Sequence, residues 1–339
     1  MVGSTQLSIA AAVVLVVIGL GFGIGYGLKN NNKKEFDDAI NVEFISETAT
    51  AEFLSKMRGM SPSLSGFSGG GYMACLVHTV LSETFIGTAA IAGAPYASPF
   101  INGAFGDEPV DKLLELSRYF SSSGEIDDLG NLNNSKVFVL HAEEDDEVPV
   151  HLGRKIKPYY KNISDSVDVA EDIGRDFGHI FPTGNGEPAK ILNHLYGKSL
   201  SMVFSGSPKY SEFSMVSFCP DSDCYVAGMH DTAFLSASEN CRNGTITCPV
   251  HFYLHGCTLS SVFVGTWHMK QTFYANIAEE HDLIVVFLQT SADDSACWNS
   301  GWRTLQGHPL ENTDTGHLTY ENPQVQAIKK LADELMDLN

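Results

Sequence analysis

The chain has 339 residues and a formal net charge of −20, from 21 lysine and arginine residues against 41 aspartate and glutamate residues. Apolar residues make up 43% of it and charged residues 18%, an ordinary globular composition that excludes a mainly disordered, collagen-like or coiled-coil architecture. The acidic charge argues against nucleic acid and anionic membrane surfaces as partners, because phosphate groups are bound mainly by lysine and arginine, and it favours neutral or apolar ligands.

An uncharged stretch of 22 residues, 7–28, lies near the N-terminus. A helix of this length, at about 1.5 Å per residue, crosses a hydrocarbon core of about 30 Å. The stretch therefore predicts a signal peptide or a retained membrane anchor rather than a soluble core helix. With a short polar link it forms a first region, 1–38, and residues 39–339 are predicted to form one folded domain.

Two signals disagree about the compartment of that domain. Three lysines within residues 29–34 follow the apolar stretch, and the positive-inside rule would leave the domain in the cytosol. Against this, Cys219 and Cys224 are five residues apart and Cys241 and Cys248 are seven apart, in loop-rich sequence typical of short disulfide loops. Such loops without histidine are poor zinc sites, so no metal is expected. We give the cysteines more weight and expect the domain to be extracellular, secreted or anchored at the cell surface.

Apolar runs and helical periodicities alternate along the domain, which predicts the α/β class. Three apolar runs suit strands buried on both faces of a parallel sheet, at residues 137–140, 250–254 and 283–288. Helices are predicted at residues 110–120, 270–280 and 325–338. The stretch 200–247 is rich in serine, cysteine and glycine, and we interpret it as a disulfide-pinned connector. Glycosylation sequons, whose use the sequence leaves open, occur at Asn133, Asn162 and Asn243.

The first catalytic pattern is G-x-S-x-G, centred on Ser68 and followed by a predicted helix start. Small residues beside Ser68 suit a sharp turn from strand to helix. Such a turn exposes the serine hydroxyl and aims the next backbone N–H, from Gly69, at an oxyanion. Taken alone, the pattern fits a loop rich in glycine and serine equally well.

Candidate partners for Ser68 follow later in the chain. The predicted strand 137–140 runs into an acidic stretch, 143–147, and an α/β-hydrolase places its triad acid at the C-terminal end of a strand. His179 lies between Gly178 and an apolar run, as suits a loop histidine brought over the serine. Each signal alone fits a solvated acidic loop or an ordinary surface histidine. Together they follow the order serine, acid, histidine, which is the order of α/β-hydrolases.

The oxyanion element is not at its usual place in the chain. An α/β-hydrolase carries its second oxyanion donor, often in an HG motif, on a loop before the nucleophile. Too little chain lies between the apolar stretch and Ser68 for the strands that should precede it, and His255-Gly256 follows the predicted strand 250–254 instead. We therefore expect a circularly permuted α/β-hydrolase fold, in which the first strands of the usual sheet come last.

With these motifs the chain resembles the poly(3-hydroxybutyrate) depolymerases of the permuted single-domain type. The matching segments, in that family's order, are SGFSGGGYMA (65–74), AIAGAPY (90–96), HAEEDDEV (141–148), FGHIFPT (177–183), CRNGTITCPVHFYLHGC (241–257) and ACWNSGW (296–302). The resemblance implies a serine esterase without metal or organic cofactor, acting on a hydroxyalkanoate polymer or oligomer. Residues 39–339 would then be its catalytic domain.

The resemblance also implies the members of a catalytic triad. Ser68 would be the nucleophile, His179 the general base and Asp145 the acid that orients the histidine. Asp145 is preferred to Asp146 because it falls in the family's H-G-x-x-D-x-x-V frame, with Ala142 in place of the glycine.

Oxyanion and substrate contacts are implied in the same way. The backbone N–H groups of Gly69 and Cys257 would bind the oxyanion, and Trp298 and Trp302 would line the ester site. Feruloyl and acetylxylan esterases resemble the same family, so a carbohydrate esterase is one alternative. A membrane-tethered binding protein on an inactive hydrolase scaffold is another, since fold alone does not guarantee activity.

The seven cysteines include at least one that is unpaired within the chain, because their number is odd. Cys75 lies in an apolar part of the helix predicted after Ser68, where a free cysteine acts as a small hydrophobe. Beside the two local pairs, this leaves Cys257 and Cys297, which follow strands expected to end at the same edge of the sheet. We predict that they are bonded to each other. The competing outcomes are a bond between Cys257 and Cys75, or free thiols at both Cys257 and Cys297.

Overall fold

The computed structural model describes most of the chain beyond the N-terminal stretch. The described residues are 41–98, 100–101, 104–105, 107–182, 186–201, 207–292, 296–298 and 316–336. The predicted signal or anchor, residues 7–28, and Trp302 lie outside them. Within the described ranges, no helix has both the length and the apolar character needed to cross a membrane.

Among the described residues, nine strands form one sheet and two short ones form a separate ribbon. In chain order the strands are β1 (Asn41–Phe44), β2 (Gly59–Phe67), β3 (Gly87–Ile91), β4 (Phe100–Ile101), β5 (Ala104–Phe105), β6 (Lys136–Ala142), β7 (Asp168–Arg175), β8 (Lys209–Ser214), β9 (Thr232–Ala237), β10 (Cys248–Leu254) and β11 (Ile284–Leu288). The sheet has the spatial order β1-β8-β9-β11-β10-β2-β3-β6-β7, and β4 pairs with β5.

The strand order confirms the predicted circular permutation. β10 lies between β2 and β11 and is parallel to both, while β3, β6 and β7 follow on the other side of β2, again in parallel. Strands from the end of the chain thus lie on one side of β2, and the strands that directly follow β2 lie on the other. Only β9 reverses direction within this sheet, running antiparallel to both β8 and β11.

The helices connect these strands. They are α1 (Glu47–Ser55), α2 (Gly69–Val80), α3 (Val110–Ser123), α4 (Val150–Ile163), α5 (Glu187–Tyr196), α6 (Glu239–Arg242), α7 (Ser261–Val264), α8 (Trp267–Thr272), α9 (Tyr274–Glu280) and α10 (Pro323–Leu335). Short 3-10 helices lie at Leu129–Leu132, Pro220–Ser222 and Gly316–Leu318.

Two predicted helices differ from the observed ones. In place of one helix over 270–280 the structure has α8 and α9, because Phe273 adopts a left-handed backbone conformation, φ 57°, between them. The C-terminal helix begins before residue 325, at Pro323. There the side chain of Asn322 accepts hydrogen bonds from the backbone N–H groups of Gln324 and Val325 and so marks the start of α10.

The expectation of a connector over 200–247 was wrong for two of its segments. β8 and β9 both belong to the main sheet, where β9 links β8 to β11. Their sequences, KYSEFS and TAFLSA, place serines at buried positions, which hides the apolar signal of a strand. The predicted local disulfides are present in the connections on either side of β9, and they join Cys219 to Cys224 and Cys241 to Cys248.

Helices pack on both faces of the sheet, which explains the continuous apolar runs of its central strands. Every residue of β10 and β11 is buried. Alternate residues of β6 point to different faces: Val137 and Val139 join the large core cluster with residues of α2, α3 and α4. Phe138 and Leu140 join a smaller cluster with residues of α5.

Candidate active site

Ser68 occupies the sharp turn between β2 and α2, where the backbone changes direction. Its φ of 56° and ψ of −125° lie outside the regions that serine normally adopts. Hydrogen bonds hold this conformation, since the N–H of Ser68 donates to the carbonyl of Ile91 at 2.8 Å and its carbonyl accepts from Tyr72 N–H at 3.1 Å. The turn presents the serine hydroxyl at the carboxyl end of the strand.

The glycines around Ser68 are required by close contact between main chains. A Cβ atom on Gly66 would collide with the carbonyl of Gly70, and one on Gly70 would collide with the carbonyls of Leu254 and His255. Only residues without a side chain fit at these two positions, which gives the physical reason for the G-x-S-x-G pattern.

The structure brings together the three predicted triad residues, which come from separate loops. His179 Nε2 lies 2.9 Å from Ser68 Oγ, and His179 Nδ1 lies 2.9 and 3.0 Å from the two carboxylate oxygens of Asp145. The ring of Phe67 packs on the imidazole with 4.9 Å between ring centroids. His179 therefore lies between Ser68 and Asp145 and contacts both, which is the arrangement that activates a serine nucleophile.

Asp145 is held as a buried carboxylate at the end of β6. Its Oδ1 accepts hydrogen bonds from the backbone N–H groups of Val148, at 2.7 Å, and Glu147, at 3.0 Å. Burial alone would raise the pKa of Asp145, but contacts with His141 and His179 and the bond from Val148 outweigh it and hold the pKa well below its usual value. The carboxylate therefore keeps its charge and can stabilise a protonated His179.

The predicted oxyanion donors lie beside each other. An ideal Cβ on Gly69 would stand 2.8 Å from Cys257 Sγ and 4.0 Å from Cys257 N, and one on Gly256 would stand 3.3 Å from Ser68 Cβ. The loop after β10 thus lies directly against the start of α2. Two backbone N–H groups at such a junction can stabilise the negative oxygen of a tetrahedral intermediate.

The side chain of His255 fixes this loop, a role that the HG motif alone did not suggest. Its Nδ1 lies 2.7 Å from the carbonyl of Gly256, and its Nε2 faces the N–H of Thr290 at 3.2 Å. Because the peptide bond is planar and trans, a Gly256 carbonyl that accepts from His255 turns the N–H of Cys257 to the opposite side. Burial lowers the pKa of His255 to about 4, so the ring is neutral near pH 7 and can donate through one nitrogen and accept through the other.

Trp298, predicted to line the ester site, is almost fully buried, with 2% of its surface exposed. Its indole N–H donates to the carbonyl of His255 at 2.7 Å, and its ring packs against the His255 ring. The contacts of Trp298 therefore hold the loop after β10 in place. Trp302, the other tryptophan predicted to line the ester site, is outside the described residues. Direct contact of either tryptophan with a substrate stays a prediction.

Cys257 is bonded to Cys297, 40 residues further along the chain. The competing bond to Cys75 is absent: Cys75 is free and buried on α2, as predicted. Burial raises the pKa of the Cys75 thiol to about 12, so this cysteine is not a reactive thiolate near neutral pH. The disulfide therefore joins the loop after β10 to the segment that carries Trp298.

Glu147 is a further group at the site that sequence reasoning did not single out. Its carboxylate lies 3.7 Å from His179 Nε2, the nitrogen that faces Ser68. Its only signal in the sequence was its place in the acidic stretch. In the described part of the chain, no group of three or more histidine, cysteine, aspartate or glutamate side chains could hold a metal ion.

Comparison with known proteins confirms the resemblance seen in the motifs. The chain is 28% identical over 306 residues to the poly(3-hydroxybutyrate) depolymerase of Delftia acidovorans, which covers 80% of this chain and 59% of that protein. It is 25% identical over 287 residues to the polyhydroxybutyrate depolymerase of Talaromyces funiculosus, covering 78% and 84% of the two chains. The chain thus spans about three fifths of the Delftia relative. No protein-family model matches it.

Solved structures confirm the fold. The crystal structure of PHB depolymerase from Penicillium funiculosum has a TM-score of 0.68 to this chain at 20% identity, and covers 83% of this chain and 97% of that one. A PHB depolymerase variant complexed with an R3HB trimer matches with the same values. The permuted α/β-hydrolase architecture is therefore shared with these proteins.

Proposed function

We propose that this chain is a serine esterase that hydrolyses the ester bonds of poly(3-hydroxybutyrate) or related hydroxyacid oligomers. The observation that carries the proposal is the continuous set of contacts from Asp145 through His179 to Ser68 at the strained turn after β2. The names of the two curated relatives, and the R3HB trimer in a solved neighbour, support this substrate class.

The proposed reaction proceeds through an acyl-enzyme. Ser68 Oγ attacks the ester carbonyl while His179 Nε2 takes its proton, and Asp145 holds the imidazole through Nδ1 and stabilises the imidazolium. The N–H groups of Gly69 and Cys257 stabilise the oxyanion, an effect worth about 3 kcal/mol per donor in other hydrolases. His179 then protonates the leaving alkoxide. It next activates a water molecule that attacks the acyl-enzyme, which releases the carboxylic acid and restores Ser68.

The proposed location is extracellular. Three disulfides support it, because such bonds persist in oxidising compartments and are rare in the cytosol. All three sequon asparagines are exposed, so glycosylation is sterically open to them. Export or anchoring through residues 7–28 remains part of the proposal.

A comparison of three substrate classes tests the proposal. Purified protein would be assayed on short 4-nitrophenyl esters, 3-hydroxybutyrate oligomers and a feruloyl ester, with Ser68→Ala as the blank. We expect turnover of the nitrophenyl esters and the oligomers that is lost in the variant. Preference for the feruloyl ester would favour a carbohydrate esterase. Absence of turnover by folded protein would favour a binding protein.

A further inference from the structure

A negative charge stands at the open side of the proposed site. Glu147 Oε2 lies 3.7 Å from His179 Nε2, and the same nitrogen lies 2.9 Å from Ser68 Oγ. The side chain of Glu147 is 70% exposed, whereas that of Asp145, on the other side of the imidazole, is fully buried. The two carboxylates therefore flank His179, one from the protein interior and one from the solvent side where a substrate must approach.

The main chain that carries this charge is held by the triad acid. The backbone N–H of Glu147 donates to Asp145 Oδ1 at 3.0 Å, so the main chain at residue 147 is tied to the triad acid. In the described part of the chain, no lysine or arginine lies within ion-pair distance of Glu147. Glu143 in the same acidic stretch differs, because its carboxylate is paired with Arg154 at 2.5 Å.

From this geometry, and resting on the proposed esterase function, we propose that Glu147 makes the site select uncharged ester chains against esters that carry a free carboxylate near the scissile bond. An internal bond of a polyester chain has no charge nearby. A bond next to the free acid end brings a second negative charge into the space that Glu147 faces. Like charges a few ångströms apart repel strongly at a protein surface, where water screens them only in part.

The same repulsion acts on the product. Deacylation creates a carboxylate beside Ser68, where the ester carbonyl had been. Glu147 would weaken the binding of that anion and so favour its release. The substrate class of the site would then be neutral polyester segments or capped oligomers, with acidic short products as poor substrates and weak inhibitors.

A matched pair of dimers tests this selection. The linear 3-hydroxybutyrate dimer as free acid and its terminal carboxamide each contain a single ester bond and differ in one charge. At low salt we expect wild-type kcat/KM to favour the amide by about five- to tenfold, the factor that a charge repulsion of this range produces. In Glu147→Gln, which keeps the backbone N–H to Asp145, the preference should fall close to one. Added salt should reduce the preference of the wild type.

Glu144→Gln is the control, because Glu144 belongs to the same acidic stretch and is exposed. Its variant removes the same charge from the protein, so the preference for the amide should stay at the wild-type value. Equal preferences in the two variants, no preference in the wild type, or failure on both dimers while a 4-nitrophenyl ester is hydrolysed would each overturn the inference. Failure on the 4-nitrophenyl ester as well would instead refute the proposed esterase function, and the inference with it.

Discussion

At the scale of single residues, Ser68 combines a strained backbone with a partner distant in sequence. A residue in such a sparsely populated conformation costs about 1–3 kcal/mol, and it persists only where surrounding contacts hold it. Here the bonds to Ile91 and Tyr72 hold the turn, and Ser68 Oγ meets His179, which lies 111 residues later in the chain. The strained backbone of Ser68 thus determines that its hydroxyl points at His179.

Replacement of that hydroxyl should remove activity and leave the fold intact. In Ser68→Ala we expect kcat to fall by about 10⁶-fold, the loss seen when a triad nucleophile is removed from another hydrolase. Alanine is smaller than serine and keeps the same backbone, so the unfolding transition should shift little. Steady-state kinetics and thermal unfolding measure both. Labelling of the wild type by a fluorophosphonate at a residue other than Ser68 would place the nucleophile elsewhere.

His255 should act on kcat rather than on substrate binding. His255→Asn weakens the contact that orients the Cys257 N–H, so kcat should fall by about 10²-fold with little change in KM, as for a lost oxyanion donor. His251→Asn is the control, because His251 is equally buried on β10 but contacts Ser63 and Ser65. It should lower stability without a comparable loss of kcat. Similar kinetic effects of the two variants would contradict a positioning role for His255.

At the scale of elements, the loop between β10 and α7 and the start of α2 meet main chain to main chain. A Cβ atom on Gly70 would collide with the backbone carbonyls of Leu254 and His255, so the two main chains are in direct contact there. Trp298 and the bond from Cys257 to Cys297 hold the loop from its other side. The backbone at Cys257, the proposed oxyanion donor, is therefore held by a segment that lies 40 residues further along the chain.

Loss of this disulfide should affect both stability and activity. In the chain-entropy model a bond that closes a loop of about 40 residues stabilises the fold by about 4 kcal/mol, so Cys297→Ser should lower the free energy of unfolding by up to that amount. It should also lower kcat, because the backbone at Cys257 loses its anchor. Denaturant unfolding and kinetics on a short ester test both effects.

Cys224→Ser is the matched variant, since it breaks the bond between Cys219 and Cys224, which are five residues apart. The shorter loop predicts a loss of about 2 kcal/mol and an unchanged kcat. An equal effect of the two variants on kcat would mean that the bond at Cys257 acts only through global stability.

At the scale of the whole molecule, the fold encloses several histidines away from solvent. His78, His251, His255 and His268 are all buried. Burial lowers the pKa of His255 to about 4 and that of the other three to about 3. Since the unfolded chain binds protons at these residues near pH 6.5, it takes up more protons than the folded chain between that value and about pH 3–4. Acid therefore favours unfolding over this window.

The free energy of unfolding should thus be highest near and above pH 7 and fall steadily as the pH drops from about 6.5 towards 4. Each fully buried histidine contributes a slope of up to about 1.4 kcal/mol per pH unit. Urea unfolding at several pH values measures the slope. His251→Asn should reduce the slope by up to about 1.4 kcal/mol per pH unit, because it removes one buried histidine. Constant stability between pH 7 and 5 would contradict this account.

Chain-local patterns determined much of this molecule in advance. A permuted α/β-hydrolase sheet was predicted from the sharp turn at Ser68, the order of serine, acid and histidine, the displaced HG motif and the apolar runs of β6, β10 and β11. The strand order confirms it. These features are readable because each depends on neighbouring residues: a turn without room for side chains, or a strand covered on both faces.

Other features required the tertiary structure, because they depend on residues far apart in the chain. By their type, Ser63 and Ser65 of β2 suit a loop. They are buried because both are hydrogen-bonded to His251, which lies more than 180 positions later in the chain. Buried serines likewise interrupt the apolar pattern of β8 and β9, so the sequence did not indicate these two strands. Two features of the site arise only when separate loops meet at the edge of the sheet. One is the charge of Glu147 beside His179, and the other is the orientation of the Cys257 N–H that the contact of His255 with Gly256 sets. Sequence order thus determined which chemical groups are available, and packing decided which of them face one another.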